Sequence, residues 1–319
     1  VFTGLGVGDV VDNEWTNQPY FGLDIYIADM TVPMIMYPEW HQPGPKTMLN
    51  GYVIPEGQTG LKDIKDAVHQ LFLHPNVGPF ISRQLIQRLV TSNPSPGYIS
   101  RVAGVFADNG AGVRGDMGAV IKAILMDPEA RTCAASDDDA FGKLREPFAR
   151  YTHFSKAITM EQYYNRYWNI AYGFYQATNQ MPLASRTVFN FFLPDFQPIG
   201  PITDNGLVGP EFQIHNSRTS VEYINEVNDW AVWGYVMDDW EDNNPSVTYV
   251  LDDLVPMARD PEVLVNRLDM LFTYGMLSEH TRQLIKDAIT PIINGNYRYD
   301  RVRLALYLMM ISPDYAIMK

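Results

Sequence analysis

The sequence predicts a mainly α protein: a multi-helix globular bundle with a small irregular or β-containing N-terminal region. Three observations lead there. From about residue 59 onward, apolar residues recur at helical spacing in segment after segment, each bounded by capping residues or prolines. Residues 1–58 instead are rich in glycine, proline and aromatics and show no helical period. No apolar run approaches the roughly 18 residues of a membrane span; the longest, Val302 to Ile311, contains Arg303 and stops at Ser312-Pro313, and reads as a short buried helix. The expected division is 1–58, with short strands packed on the helical part, and 59–319. Residues 136–142 mark where the helical part would separate if it forms two lobes.

Within the first region Leu23-Asp24-Ile25-Tyr26-Ile27 alternates in polarity as a half-buried strand does. Met34 to Tyr37 and Met48 to Ile54 are two further extended pieces, and His41-Gln42-Pro43-Gly44-Pro45-Lys46 is a turn-rich connector between them. Leu61, Ile64, Val68 and Leu71 then form a helical stripe that Pro75 stops. Asn76 begins the next helix, with Phe80, Ile81, Leu85, Ile86 and Leu89 on its apolar face and Arg83, Gln84, Gln87 and Arg88 opposite.

Helices are expected over Tyr98 to Ala107 and, capped by Asp116 and closed by Asp127-Pro128, over Asp116 to Met126. After the acidic linker Ser136 to Asp139, helix is expected from about Lys143 to Thr159, from Glu161 to Ala177 and from Ser185 to Phe192. The four prolines and three glycines of Pro194 to Pro210 make an ordered loop. A long helical region over Pro210 to Met237 and an acidic loop over Asp238 to Ser246 follow. Asp260-Pro261-Glu262 is a strong helix start, an N-cap followed by proline in the first turn, and Gly275 ends that helix. Ser278 caps a helix to Ile289 and Asp300 the last one, to Ile311. Asp127-Pro128-Glu129 and Ser312-Pro313-Asp314 are similar stops, too short to define a repeat.

Composition narrows the partners. Acidic residues outnumber basic ones by 37 to 24, a formal charge of −13, and no basic run occurs. A surface for nucleic acid needs clustered Lys and Arg, and an anionic membrane surface does too, so neither is expected. The single cysteine, Cys133, excludes an intrachain disulfide and a cysteine-based zinc site. No signal peptide is visible, and the chain opens on Val1; either a segment has been removed or the sequence begins inside a longer polypeptide.

Four ordered blocks stand out: Val1-Phe2-Thr3-Gly4 with the later His41 to Thr47 element; Leu71 to Asn76 running into Phe80 to Leu85; Lys143-Leu144-Arg145-Glu146-Pro147-Phe148; and Val188 to Phe196 with Gly206 to Gln213. Together they resemble an uncharacterised bacterial family, the domain-of-unknown-function 1800 family. Leu5 stands where the family often has Trp. Gln42 stands where it often has Asp, which removes a carboxylate beside His41. The resemblance implies a preceding helical region, export from the bacterial cell, and gene neighbourhood with a second uncharacterised family of sulfatase-like fold. It carries no established activity.

The candidate chemistry is sparse. His41 and Lys46, beside Trp40 in a Pro/Gly loop, have the residue types to bind an anion or move a proton; the plain alternative is a structural turn. His69 and His74 lie five apart, the wrong spacing for a zinc helix, and no metal ligand set or cofactor motif occurs. Tyr164, Tyr167, Trp168, Tyr172 and Tyr175 fall close to one stripe at 3.6 residues per turn. Such a stripe is ordinarily core, and if exposed it suits sugar stacking or a protein interface. Asp238-Asp239-Trp240-Glu241-Asp242 reads as a solvated acidic loop. Two functions follow: a binding or assembly component of the cell envelope or exterior, self-associating or with a protein partner such as the sulfatase-like one, or a hydrolase acting on an extracellular polymer such as a polysaccharide.

Overall fold

Helices carry the fold, and side chains at their ends explain most of the boundaries. A computed structural model describes residues 2–3, 35–132, 140–162, 172–182, 184–185, 187–237 and 245–319. The chain divides into two compact units, Val1–Phe80 and Ile81–Lys319. The expected strand at 23–27 lies outside the described residues, as do Cys133 and both acidic runs, 137–139 and 238–242.

In the first unit β1 (Phe2–Thr3) pairs antiparallel with β2 (Ile35–Met36). A 3-10 turn, Pro38–Trp40, follows, and then β3 (Lys46–Thr47) pairs with β4 (Val53–Ile54). Met48 to Ile54 is therefore not one extended piece. Asn50 and Gly51 take φ of 60° and 75°, the left-handed region these two residue types tolerate best, and reverse the chain. Helix α1 (Gly60–Leu73) is capped by the Thr59 hydroxyl, which accepts from Lys62 N, and stops at His74, held extended before Pro75.

The boundary between the units falls inside α2 (Val77–Leu89). In the second unit α3 (Pro96–Ala107) and α4 (Met117–Met126) form a pair, tied by the Tyr98 hydroxyl donating to Ile124 O. Asp116 caps α4 as expected. The two similar tripeptides each open a single helical turn with proline in first place. These are α5 (Pro128–Arg131), capped by Asp127, and α13 (Pro313–Ala316), capped by Ser312.

Several expected helices are shorter or absent. Lys143–Leu144 is a strand, β5, because the C-terminal residues Ile317–Met318 (β9) pair with it, and helix α6 begins only at Pro147, running to Ala157. Thr159–Gln162 is β6, so within 161–177 only α7 (Tyr172–Thr178) is helical among the described residues. Residues 187–190 form a turn, not a helix. The Thr187 hydroxyl accepts from Phe189 N and donates to Asn190 O, a local bond that competes with helix, and Asn190 sits at φ 75°.

The 194–210 loop contains one turn of helix, α8 (Pro201–Asp204). The long helix expected over 210–237 resolves into a 3-10 turn (Pro210–Gln213), α9 (Ser217–Val227), a π turn (Asn228–Trp233) and β7 (Tyr235–Met237). Gly234 at φ 77° makes the switch from turn to strand. β7 and β6 flank β8 (Pro245–Val250) in a three-stranded antiparallel sheet of order β6-β8-β7.

Asp260 caps α10 (Pro261–Phe272), which closes near Gly275 at φ 82°, and Ser278 caps α11 (Glu279–Ile289). Helix α12 (Tyr297–Ile311) starts a turn before Asp300, after Asn296. It packs against α10, α11 and the π turn, and its second half, Leu304 to Ile311, is apolar on every face and buried or half-buried throughout. Aromatic rings fill the core between α6, β8 and the π turn. Phe154 meets Tyr249 edge-on at 4.7 Å and Tyr151 meets Trp230 at 4.9 Å. Among the described residues no helix is long and apolar enough to cross a membrane.

Three cations of the 143–150 segment, Lys143, Arg145 and Arg150, are buried. Lys143 Nζ lies 3.0 Å from Glu211 Oε1 and donates to the carbonyls of Gln87 and Arg88 at the end of α2. Gln87, expected on the solvent face, is also buried, because its amide donates to Ser92 O and Pro194 O. Breaking a buried pair strands a charge at a cost of about 3–5 kcal/mol. Lys143→Met should therefore lower unfolding stability in urea by roughly that amount, with partial recovery when combined with Glu211→Gln. A loss below about 1 kcal/mol would show that the pair is not isolated from water.

Candidate functional site

Local structure in the first unit brings together the two loop residues singled out from the sequence. The 3-10 turn ends at His41, Lys46 opens β3, and both reach the first turn of α1, where Asp63 points inward. His41 Nε2 lies 2.7 Å from Asp63 Oδ2, and Lys46 Nζ lies 2.6 Å from the same oxygen. Lys46 also donates to Gln42 O and Gly44 O, so its three N–H donors have three acceptors. Position 60 is glycine, and a Cβ there would stand 2.1 Å from Met36 Cε and 3.0 Å from His41 Cδ2, so any larger residue would have to displace the Met36 side chain and crowd His41.

Asp63 is the residue the sequence reading missed. It sits on the side of α1 away from the apolar stripe of Leu61, Ile64, Val68 and Leu71, 22 residues from His41. The carboxylate absent at Gln42 is thus supplied through space. Its side chain is 7% exposed, and its Oδ1 is buried with no hydrogen-bond partner among the described residues. The hydrogen bond from Lys46 holds its carboxyl below the usual carboxylate range; burial opposes this, and the His41 contact adds to it.

This arrangement has the parts of a proton-transfer pair, an imidazole oriented by a carboxylate. It equally has the form of a clamp, since one buried oxygen fastens the loop and β3 to α1. Trp40, next to His41 in the chain, is 70% exposed. Tyr164, Tyr167 and Trp168 lie outside the described residues, and Tyr172 begins α7 with its side chain outside them. Phe174, two residues on, is core, packed 5.7 Å from Tyr151 and 6.1 Å from Trp230.

The other described histidines do not converge. His153 is stacked between Tyr274 and Tyr315 and bonded to Arg145; burial, and the charge of Arg145, push its imidazole down. His215 is pushed down to about 4 by burial and by the charge of Arg150, so it is neutral at physiological pH. Among the described residues no three His, Cys, Asp or Glu side chains are grouped to hold a metal ion.

The clamp makes a pH prediction. A carboxyl whose folded pKa is depressed contributes stability that is full above its unfolded value of about 3.9 and is lost as pH falls through the folded one. At pH 7, Asp63→Asn should speed amide hydrogen exchange through residues 41–66 relative to the unsubstituted protein, and the difference should shrink below about pH 4. Equal exchange in the two proteins at pH 7 would remove the clamp.

Comparison with known proteins gives one family. The sequence model of the family described as "Protein of unknown function (DUF1800)" matches residues 1–317. Neither a curated protein nor a solved structure matches the chain. Since that family model matches almost from end to end, the chain belongs to the DUF1800 family of proteins of unknown function.

Proposed function

We propose that this protein is a binding or assembly component of the bacterial cell envelope or of an extracellular structure, and that α1 presents its contact face. One observation carries the reading: α1 is turned inside out. Its buried residues are Gly60 and Asp63, while Leu61, Ile64, Val68 and Leu71 are between 40% and 59% exposed. An amphipathic helix ordinarily gains its stability by burying that stripe. An open cleft of about 290 Å³ adjoins its far end, lined by Leu49, Tyr52, Leu71 and His74 among others, with Leu49 itself 61% exposed.

A row of apolar side chains at i, i+3, i+7 and i+10 is what a facing helix or apolar groove reads. Covering the exposed half of each side chain is worth roughly 1 kcal/mol per residue. The acidic balance of 37 to 24 turns the choice away from nucleic acid and anionic lipid and toward a protein. By family resemblance the partner is a sulfatase-like-fold protein, or a second copy of this chain, and the place is outside the cytoplasm.

Sedimentation of the purified protein over a range of concentrations, alone and with a sulfatase-like-fold protein from the same genome, tests this. Ile64→Glu and Val68→Glu should each weaken the association at least about tenfold, with circular dichroism unchanged. Association insensitive to both, or absent in every mixture, would sink the reading.

The pairing of His41 with Asp63 beside the exposed Trp40 ring favours a second reading, hydrolysis of an extracellular polymer such as a polysaccharide. It requires reducing ends to be released from such a polymer by the unsubstituted protein and not by His41→Ala. A protein that releases none from cellulose, xylan, alginate or peptidoglycan has no such activity.

A further inference from the structure

A second surface, within the Ile81–Lys319 unit, has a different chemistry. An open cleft of about 260 Å³ lies among Asn179, Thr187, Asn190, Phe191, Phe192, Leu193, Gln213 and Ile214. Among the described residues no ionisable group lines it. Three carboxamides and one hydroxyl supply the polar atoms, and two phenyl rings and two aliphatic side chains supply the rest. We propose that this cleft binds one ring of a neutral sugar.

The amides are set in advance. Gln213 Oε1 accepts from Leu193 N at 2.7 Å, and Asn179 Oδ1 accepts from the Arg218 guanidinium at 3.1 Å. With each carbonyl oxygen anchored, the –NH2 of the same group keeps a fixed direction and has no hydrogen bond among the described residues. A carboxamide offers donors and an acceptor within one planar group, which suits vicinal hydroxyls that both give and take. The half-buried Phe191 ring suits the C–H face of a pyranose, burying apolar area against it, while Phe192 is buried with the Arg88 guanidinium 3.9 Å over its ring. Among the described lining residues an anion finds no cation and a cation no carboxylate, and the Arg218 guanidinium that meets Asn179 also donates to Gln176 O.

Backbone conformation marks the same place. Among the described residues four other than glycine have positive φ, and two of them, Asn179 at 59° and Asn190 at 75°, line this cleft. Asn tolerates the left-handed region better than most residues, yet the conformation still carries a cost that surrounding structure must hold. At Asn190 the holding bonds are those of Thr187, whose hydroxyl accepts from Phe189 N and donates to Asn190 O. The volume, below the ~300–1,000 Å³ of sites for drug-sized ligands, matches a single ring, free or at the end of a glycan.

Saturation-transfer difference NMR and titration calorimetry on the full chain test the proposal. The probes are glucose, galactose, mannose and N-acetylglucosamine, their linear oligomers, and glucuronate as a charged control. The expected result is saturable binding of at least one neutral sugar, with a dissociation constant on the order of millimolar. Gln213→Glu keeps the acceptor for Leu193 N and removes the amide donor; Phe191→Ala removes a ring. Each should weaken binding about tenfold or more while the unfolding temperature stays unchanged. Binding of monomers points to free sugar, and binding of oligomers alone to a glycan end. Absence of binding to every neutral probe, preference for glucuronate, or equal affinity in both variants would overturn the proposal.

Discussion

Taking a charge out of water costs several kcal/mol unless partners meet it on the spot, and both units are organised around meeting that cost. In the first unit the buried Asp63 carboxylate receives Lys46 and His41. In the second, buried cations sit where helices end and leave carbonyls without partners. Lys143 takes the last carbonyls of α2. Arg301, itself buried, donates to Ile289 and Thr290 at the end of α11, to Ile292 beyond it, and to Ala258 and Arg259. A helix C-terminus carries partial negative charge, so one cation satisfies the carbonyls and the dipole together. Arg150 answers the same need with Arg145 O and the face of the Tyr223 ring.

The constraint has a geometric consequence in α1. Apolar burial favours turning Leu61, Ile64, Val68 and Leu71 inward. Asp63 lies on the other side of the helix, and its contacts with Lys46 and His41 hold that side against the hairpin. A helix held by a polar contact while its apolar stripe is exposed is under-used as a core element. That is why the stripe, and not the His41 loop alone, carries the functional reading.

Helix existence was legible because it rests on local signals. Asp116, Ser278 and the Asp260-Pro261 pair cap where their residue types say they should, and the helices behind them follow. The three-stranded sheet was not read, although Val247 to Val250 has the β-branched and aromatic character of a strand, because β8 finds its partners 85 to 91 residues away at Thr159–Gln162 and just upstream at Tyr235–Met237. Lys143–Leu144 is a strand only because the C-terminus lies beside it. The same limit applies at the site. His41 and Lys46 stand out as residue types in a loop, but Asp63 on a helical wheel is merely a polar residue on the polar face, and nothing local says that this face is the inner one.

The departure at Gln42 changes meaning once Asp63 is in place. Read along the chain, it deprives His41 of its neighbouring carboxylate and weakens any acid–base pair. In space, His41 has a carboxylate at 2.7 Å, shared with a lysine whose remaining donors are taken by Gln42 O and Gly44 O. Position 42 therefore contributes through its backbone, which any residue provides, and the side chain is free to differ. The lysine has no donor left for an outside anion. The imidazole keeps a second ring nitrogen beyond the one facing Asp63, and it is there that a proton-transfer role would have to act while the clamp holds α1 in place.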